Sequence, residues 1–459
     1  MVLGCTSSAG KSLLVTALAR WFRRQGVDVV PFKAQNMSNN ARVVDGGEIG
    51  VAQWLQASAA RVEPHVRMNP VLLKPEADTR SQVVVRGRVR RDLSALPWRE
   101  RGEHLWPIAA EAFDELLSQH ELVLIEGAGS PAEINLADFV NNRVVAHADA
   151  SALLVVDIDR GGAFAHLFGT WSLVPEATRD RLRAFVLNKF RGDRTLLAPG
   201  PSMLTDRTGM AALGVMPMLA HDLPDEEGAT VRAQPSSGAP RVAVVRFPFA
   251  SNLDEFHLLA HAANLRFVTR AADLDGVDLV ILPGSKHVAA DLAWLRRAGF
   301  DDAIHAAVAR GARVLGICGG AMMLGGHVAD PHGVEGEAVG LGMLALDTVM
   351  DWDKLTQRTT VACVGLPDEW RSLEGIGAEG YEIRNGRVTA QGCTTGDARV
   401  WARDRVLATT VHGLLESPDV LAALVGVRPP PVLDATFEAL ADAIEVHLDT
   451  DLLWTMVRD

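Results

Sequence analysis

Cysteine is scarce in this chain. Four occur in 459 residues (Cys5, Cys318, Cys363 and Cys393), and no two stand in a CxxC pair. That excludes a disulfide framework and gives no sign of a zinc site. Cys363 and Cys393 read as ordinary packing residues, since free cysteine is commonly buried. Runs of lysine or arginine are missing too, and the net charge is −12. Neither nucleic acid nor an anionic membrane surface is therefore expected as the main partner. No apolar stretch reaches membrane-spanning length, and the N-terminus lacks the charged region and cleavage site of a signal peptide. A protein of the reducing cytoplasm is the expectation. No internal repeat is visible, and nothing in the sequence gives an oligomeric state.

What is present is the composition of a globular enzyme, with 48% hydrophobic and 22% charged residues. The length calls for two or three domains. Short β-branched runs alternate with helical patterns in both halves: "VLG", "LVLIEG", "ALLVVDID" and "AFVLNKF" in the first, "RVAVVRFP", "LRFVTRA", "LVILPGS" and "RVLGICGG" in the second. Fully apolar strands with helices between them predict α/β domains built on mainly parallel sheets covered on both faces. The Pro/Ser/Gly-rich stretch 232–240 reads as a linker between domains at 1–231 and 241–425, and 426–459 reads as a helical tail packed back on the body. The run before the first loop is only three residues long, which leads to the expectation that the true start lies upstream.

Two stretches carry chemistry. In "GCTSSAGKS" (4–12) a glycine-rich turn passes from a strand into an amphipathic helix, directing backbone N–H groups and the helix N-terminus at an anion. Gly10 belongs to that turn, Lys11 reaches the β- and γ-phosphates of ATP, and Ser12 binds Mg²⁺. Five residues, not the usual four, separate Gly4 from Gly10. Glu126, at the end of "LVLIE", stands where open parallel sheets bind ligands and is a second candidate for Mg²⁺. Asp157 and Asp159 end another strand; Asn188 and Lys189 end a third, and the Asn188 amide could read a base edge. The alternative for all of these is that they cap strands.

The second stretch, "LGICGGAMMLGG", runs a strand into Cys318 between small residues, resembling a hydrolase nucleophile elbow with cysteine in place of serine. Helix onset after the thiol favours the thiolate, and the N–H groups of Gly319 and Gly284 are candidate oxyanion donors. His412, at the end of a late strand, is the candidate base and proton donor. His257, His261, His327 and His332 read as incidental.

Together the halves resemble a class I glutamine amidotransferase joined to a phosphate-loop domain similar to dethiobiotin synthetase. The combination is similar to the cobyric acid synthase family of cobalamin biosynthesis. The resemblance rests on "PFKAQNM", "RMNPVLLKP", "EGAGSPAEINL", "DIDRGGAFA", "NKFRGD", "LPGSK", "GICGG", "GYEI" and "VHGLLE". It implies ATP-dependent amidation of the b, d, e and g carboxylates of adenosylcobyrinic acid a,c-diamide, with MgATP as cosubstrate, glutamine as ammonia donor and no prosthetic group. Cobyrinic acid a,c-diamide synthase shares the architecture, but "PFKAQNM" and "EGAGSPAEINL" look like the cobyric acid enzymes. A nucleotide-dependent switch carrying an inert amidotransferase module is the alternative from another class, and Cys318 with His412 argues against it. Candidates to face the polyanionic corrinoid are Lys33, Gln35, Asn36, Lys74, Arg80, Asp157 and Arg160, with Arg86, Arg88 and Arg191 in the same basic stretches. The sequence departs from the family where "GYEI" continues with Arg384, Asn385 and Gly386 rather than His-Met-Gly. It departs from class I amidotransferases where Leu414 replaces a glutamate two residues after the histidine. Glu416 comes two residues later still, so the expectation is a Cys–His dyad.

Overall fold

The computed structural model describes residues 1–77, 80–135, 139–224, 238–392 and 396–458. Cys393 and most of the expected linker, 232–237, lie outside the described residues. Each half is built around a parallel sheet, as uniformly apolar strands require when helices cover both faces.

In the first half, strands Val2–Gly4, Ala152–Asp157, Leu182–Phe190 and Ala211–Pro217 pair in that order, all parallel. Strands Val29–Phe32 and Leu122–Ile125 pair parallel on the other side, joined to the first strand by a bridge between Val2 and Glu126. The first strand thus lies inside the sheet, and its carboxyl end shares an edge with Glu126, Asp157 and Asn188. Side chains such as Leu153, Val155 and Val186 are wholly or almost wholly buried against the helix Lys11–Arg24 and its neighbours.

In the second half the order is Asn264–Val268, Arg241–Val245, Leu279–Leu282, Arg313–Ile317, Val406–Thr409 and Val400–Arg403, parallel except for the last pair. The strand leading to Cys318 is flanked by the strands that lead to Gly284 and to His412. Three candidate residues therefore converge at one sheet edge, where ligands bind in open α/β sheets.

Antiparallel pieces decorate these sheets. The hairpin of Ala41–Val44 and Gly47–Gly50 belongs to the first half, as do strands Val71–Ala77 and Arg80–Val85. A long ladder of Leu346–Ala362 against Gly377–Ala390 belongs to the second. Hairpin and ladder meet: Lys354 pairs with Glu48 at the contact, and Arg358 donates to the Val43 carbonyl at 3.2 Å.

The C-terminal segment forms helices Val432–His447 and Thr450–Arg458. They return to the first half, where Phe437, Leu440, Ile444 and Leu453 join the same core as Leu14, Leu18 and Trp21. The buried Arg20 pairs with Asp434 at 2.7 Å and Glu438 at 2.8 Å. No helix among the described residues is long and apolar enough to cross a membrane.

Candidate active site

At the first sheet edge, the loop 4–12 wraps toward the helix that begins at Lys11. Gly10 takes φ 98°, a left-handed conformation that glycine adopts without cost. A Cβ there would also lie 2.1 Å from the Asn188 amide nitrogen. Asn188 donates to the Ala9 carbonyl at 2.8 Å, and Lys189 donates to the Ser8 carbonyl at 2.6 Å. The strand end that carries Asn188 thus holds the phosphate loop. Lys11 donates to the carbonyl of Gly129 at 3.0 Å.

Ser12 Oγ donates to Glu126 Oε1 at 2.8 Å, and the Lys33 ammonium lies 2.7 Å from the same oxygen. Gln56 donates to Oε2. Burial pushes the Glu126 carboxyl up, but Lys33 and these hydrogen bonds outweigh it and hold the group below the usual carboxylate range. An ionised carboxylate beside a hydroxyl is a pair of hard oxygen donors of the kind Mg²⁺ accepts. The donor set fits the ion.

Several residues expected at the corrinoid have partners within the protein. Lys33 is buried on Glu126, and Lys74 is buried on Glu48. An ammonium removed from water needs a counter-charge close by, which these carboxylates provide. Asn36 is buried and donates to Gln53 at 3.1 Å. Asp157 is buried between Lys189 at 2.9 Å and Arg160 at 3.3 Å, bracing the phosphate loop. Gln35 is half-buried, and Arg160 remains largely exposed. Arg80, beside Glu76 at 3.0 Å, lines a wide cleft with Arg88, Arg91 and Trp352. Arg86 pairs with Glu111 and Glu115, and Arg191 with Asp159.

At the second edge, Cys318 sits at φ 51° and ψ −104°, a strained conformation for a side-chain-bearing residue. The helix that follows, Gly319–Leu324, is only six residues long. The turn is tight enough to demand glycine: a Cβ at Gly320 would lie 1.9 Å from the Leu282 carbonyl, and one at Gly319 would lie 2.6 Å from the Ser285 nitrogen. A Cβ at Gly284 would lie 2.8 Å from the His412 ring. Gly284, Gly319, Cys318 and His412 are thus brought together.

His412 Nδ1 lies 2.9 Å from Glu255 Oε1, and the Gly413 amide donates to Oε2 at 3.0 Å. Its ring also hydrogen-bonds Cys318. Burial pushes the imidazole pKa down, yet Glu255 and Cys318 overcome this and raise it from 6.5 to about 10. Three groups in line, thiol, imidazole and buried carboxylate, form the relay that activates a nucleophile. The expected dyad is corrected to an arrangement with a third member. Sequence reasoning missed Glu255 because it lies in "SNLDEF", 157 residues from the histidine. The available signal was an acidic pair set in an apolar segment. Glu416 instead pairs with Arg42. Tyr381, the chain's single tyrosine, stacks on the His412 ring with centroids 5.4 Å apart and 19° between planes.

Of the remaining thiols, burial pushes Cys5 up to about 12 and Cys363 up to about 11, so neither is a thiolate near neutral pH. His257 and His261, expected to be incidental, lie 4.0 and 3.2 Å from Asp222.

Fold and sites together define a glutamine amidotransferase module joined to a nucleotide-binding phosphate-loop module. The profile of the CobQ/CobB/MinD/ParA nucleotide binding domain matches residues 1–227, and that of the CobB/CobQ-like glutamine amidotransferase domain matches 241–420. The chain is 54% identical to the cobyric acid synthase of Paracidovorax citrulli, covering 98% of this chain and 96% of that one. It is 52% identical to that of Variovorax paradoxus and 49% to that of Polaromonas sp. JS666, covering 100% of this chain and 98% of each relative. The chain belongs to the cobyric acid synthase family and is a glutamine-dependent amidating ligase that uses a nucleotide.

Proposed function

We propose that the chain amidates the b, d, e and g carboxylates of adenosylcobyrinic acid a,c-diamide, in the cytoplasm, giving adenosylcobyric acid. Residues 1–231 activate the carboxylate with ATP, residues 241–425 release ammonia from glutamine, and 426–459 brace the first module. The observation that carries this reading is the Cys318–His412–Glu255 relay, on the same chain as a phosphate loop whose Ser12 meets Glu126.

In the second module the Cys318 thiolate attacks the side-chain carbonyl of glutamine, and the oxyanion is met by the amides of Gly319 and Gly284. As the tetrahedral adduct collapses, the C–N bond breaks and His412 gives its proton to the departing nitrogen, releasing ammonia. Water, deprotonated by His412, then hydrolyses the thioester to glutamate. In the first module a corrinoid carboxylate oxygen attacks the γ-phosphorus and ADP leaves, with Lys11 neutralising charge on the transferring group. Mg²⁺, held by Ser12 and Glu126, would add to that neutralisation. Ammonia displaces phosphate from the acyl phosphate, giving the amide. No prosthetic group enters either half-reaction.

Product mass with two nitrogen sources tests the scheme. Cys318→Ala should lose amidation from glutamine but keep it from concentrated ammonium salt at alkaline pH, while Cys5→Ala should keep both. A folded Cys318→Ala protein that used glutamine at the normal rate would refute the glutaminase assignment.

A further inference from the structure

We propose that Arg42, in the ATP-binding module, is a positioning residue for glutamine hydrolysis in the other module, so that the glutaminase is complete only when the two are docked. The proposal rests on the reading of Cys318 and His412 given above.

Arg42 lies in the hairpin strand Ala41–Val44, with its side chain 6% exposed. Its guanidinium makes ion pairs with Asp254 and Glu416 and donates to the Tyr381 hydroxyl, all on the amidotransferase side. The guanidinium carbon also lies 5.3 Å from the Tyr381 ring centroid. Each of these three partners adjoins the relay. Asp254 directly precedes Glu255, and Glu416 ends the one-turn helix Leu414–Glu416 that follows His412 and Gly413. Tyr381 stacks on His412 and exchanges backbone hydrogen bonds with it at 3.1 and 2.9 Å.

The charges explain why an arginine is needed. Asp254 and Glu255 are buried, Glu416 stands partly exposed beside them, and each of Asp254 and Glu416 feels Glu255 as a repelling neighbour. His412 is one cation and can satisfy one of them well. Arg42 meets the other two through one terminal nitrogen, Nη2, while Nη1 donates to the Tyr381 hydroxyl, a division of donors for which a lysine's single point charge is a poor substitute. Glu255 is thereby left as the partner of His412. Without Arg42, two uncompensated carboxyls compete for the imidazolium or take up protons, and the ring loses its fixed orientation.

The docking around Arg42 is specific on both flanks. The Ala41 amide donates to Asn252 Oδ1 at 3.2 Å, and the Leu253 amide donates to Asn40 Oδ1 at 3.2 Å. The segment that delivers Arg42 runs back to Lys33, whose ammonium sits on the same Glu126 that Ser12 of the phosphate loop touches.

The test compares wild type, Arg42→Ala and Arg42→Lys in two assays, with adenosylcobyrinic acid a,c-diamide and MgATP present. One follows glutamate release from glutamine; the other follows amidation driven by ammonium chloride. Arg42→Ala should lower the glutaminase kcat at least ~10-fold, with KM for glutamine changed less than ~3-fold and ammonium-driven amidation within ~2-fold of wild type. Arg42→Lys should recover part of the lost kcat and should serve alone if the alanine variant does not fold, where its kcat must still fall selectively. A glutaminase kcat of the folded variants within ~2-fold of wild type overturns the proposal. Equal loss of both activities also overturns it, by making the arginine a staple of the interface and nothing more. Glutamate release by Cys318→Ala at the wild-type rate would instead overturn the underlying reading of the site.

Discussion

Replacing Glu255 with glutamine isolates what the buried carboxylate does. Glu255 receives two donors, the His412 ring at 2.9 Å and the Gly413 amide at 3.0 Å, and its side chain has no exposure. Glutamine keeps the shape but has one acceptor oxygen, so an N–H of its amide must confront one of those donors. The charge is lost as well. In the wild type the imidazole titrates at about 10 instead of 6.5, which amounts to roughly 5 kcal/mol in favour of the imidazolium. Burial opposes that shift, and Glu255 shares the favourable part with Cys318. Loss of Glu255 removes the foremost of the groups that favour the imidazolium, and mis-set ring geometry adds to this, so glutamine hydrolysis should slow at least ~10²-fold. Glutamate release at saturating glutamine is the assay, with ammonium-driven amidation as an internal control for folding. The same shift fixes a pH signature. A raised histidine pKa stabilises the fold fully below about 6.5 and ceases to do so as pH rises through about 10. The stability gap between wild type and Glu255→Gln in urea should therefore narrow from pH 7 to above pH 10. Hydrolysis within ~3-fold of wild type, or a gap that widens with pH, would show that Glu255 does not hold the imidazolium.

Lys11→Ala should reduce amidation from glutamine and from ammonium alike by at least ~10²-fold, because the charge it removes serves phosphoryl transfer rather than ammonia release; product mass with each nitrogen source checks this. Glu48→Gln should destabilise the protein by about 3–5 kcal/mol, since it strands Lys74 and Lys354 as buried ammoniums without their counter-charge. Urea titration at neutral pH would read that loss.

The strands that build both central sheets were legible because buried parallel strands are apolar on both faces. "ALLVVDID" and "RVLGICGG" announce themselves without partners, and they deliver Asp157 and Cys318 to the sheet edges. Phosphate loop and elbow were legible for a related reason: each is a local strand-to-helix turn whose glycines meet a local steric demand. Glu255 was not, because a carboxylate that meets His412 from 157 residues away leaves no spacing to read. Lys74 poses the opposite difficulty. A lysine in a basic-looking stretch suggests an anionic ligand, and its pairing with Glu48 comes from a hairpin that the sequence does not display. The antiparallel ladder of Leu346–Ala362 and Gly377–Ala390 was also missed, since charged residues interrupt its alternation.

The return of the C-terminal helices bears on how such a chain could be divided. Phe437, Leu440 and Ile444 fill the core over the helix that begins at Lys11, and Arg20 is buried against Asp434 and Glu438. A polypeptide severed between its modules would leave the first fragment with an open apolar face and an arginine without its acids, while the second carried the missing pieces. The fragments would meet as a heterodimer clasped by exchange, each owning part of the other's interior. Conversely, moving residues 432–458 to follow the first module through a short tether would let that module stand alone.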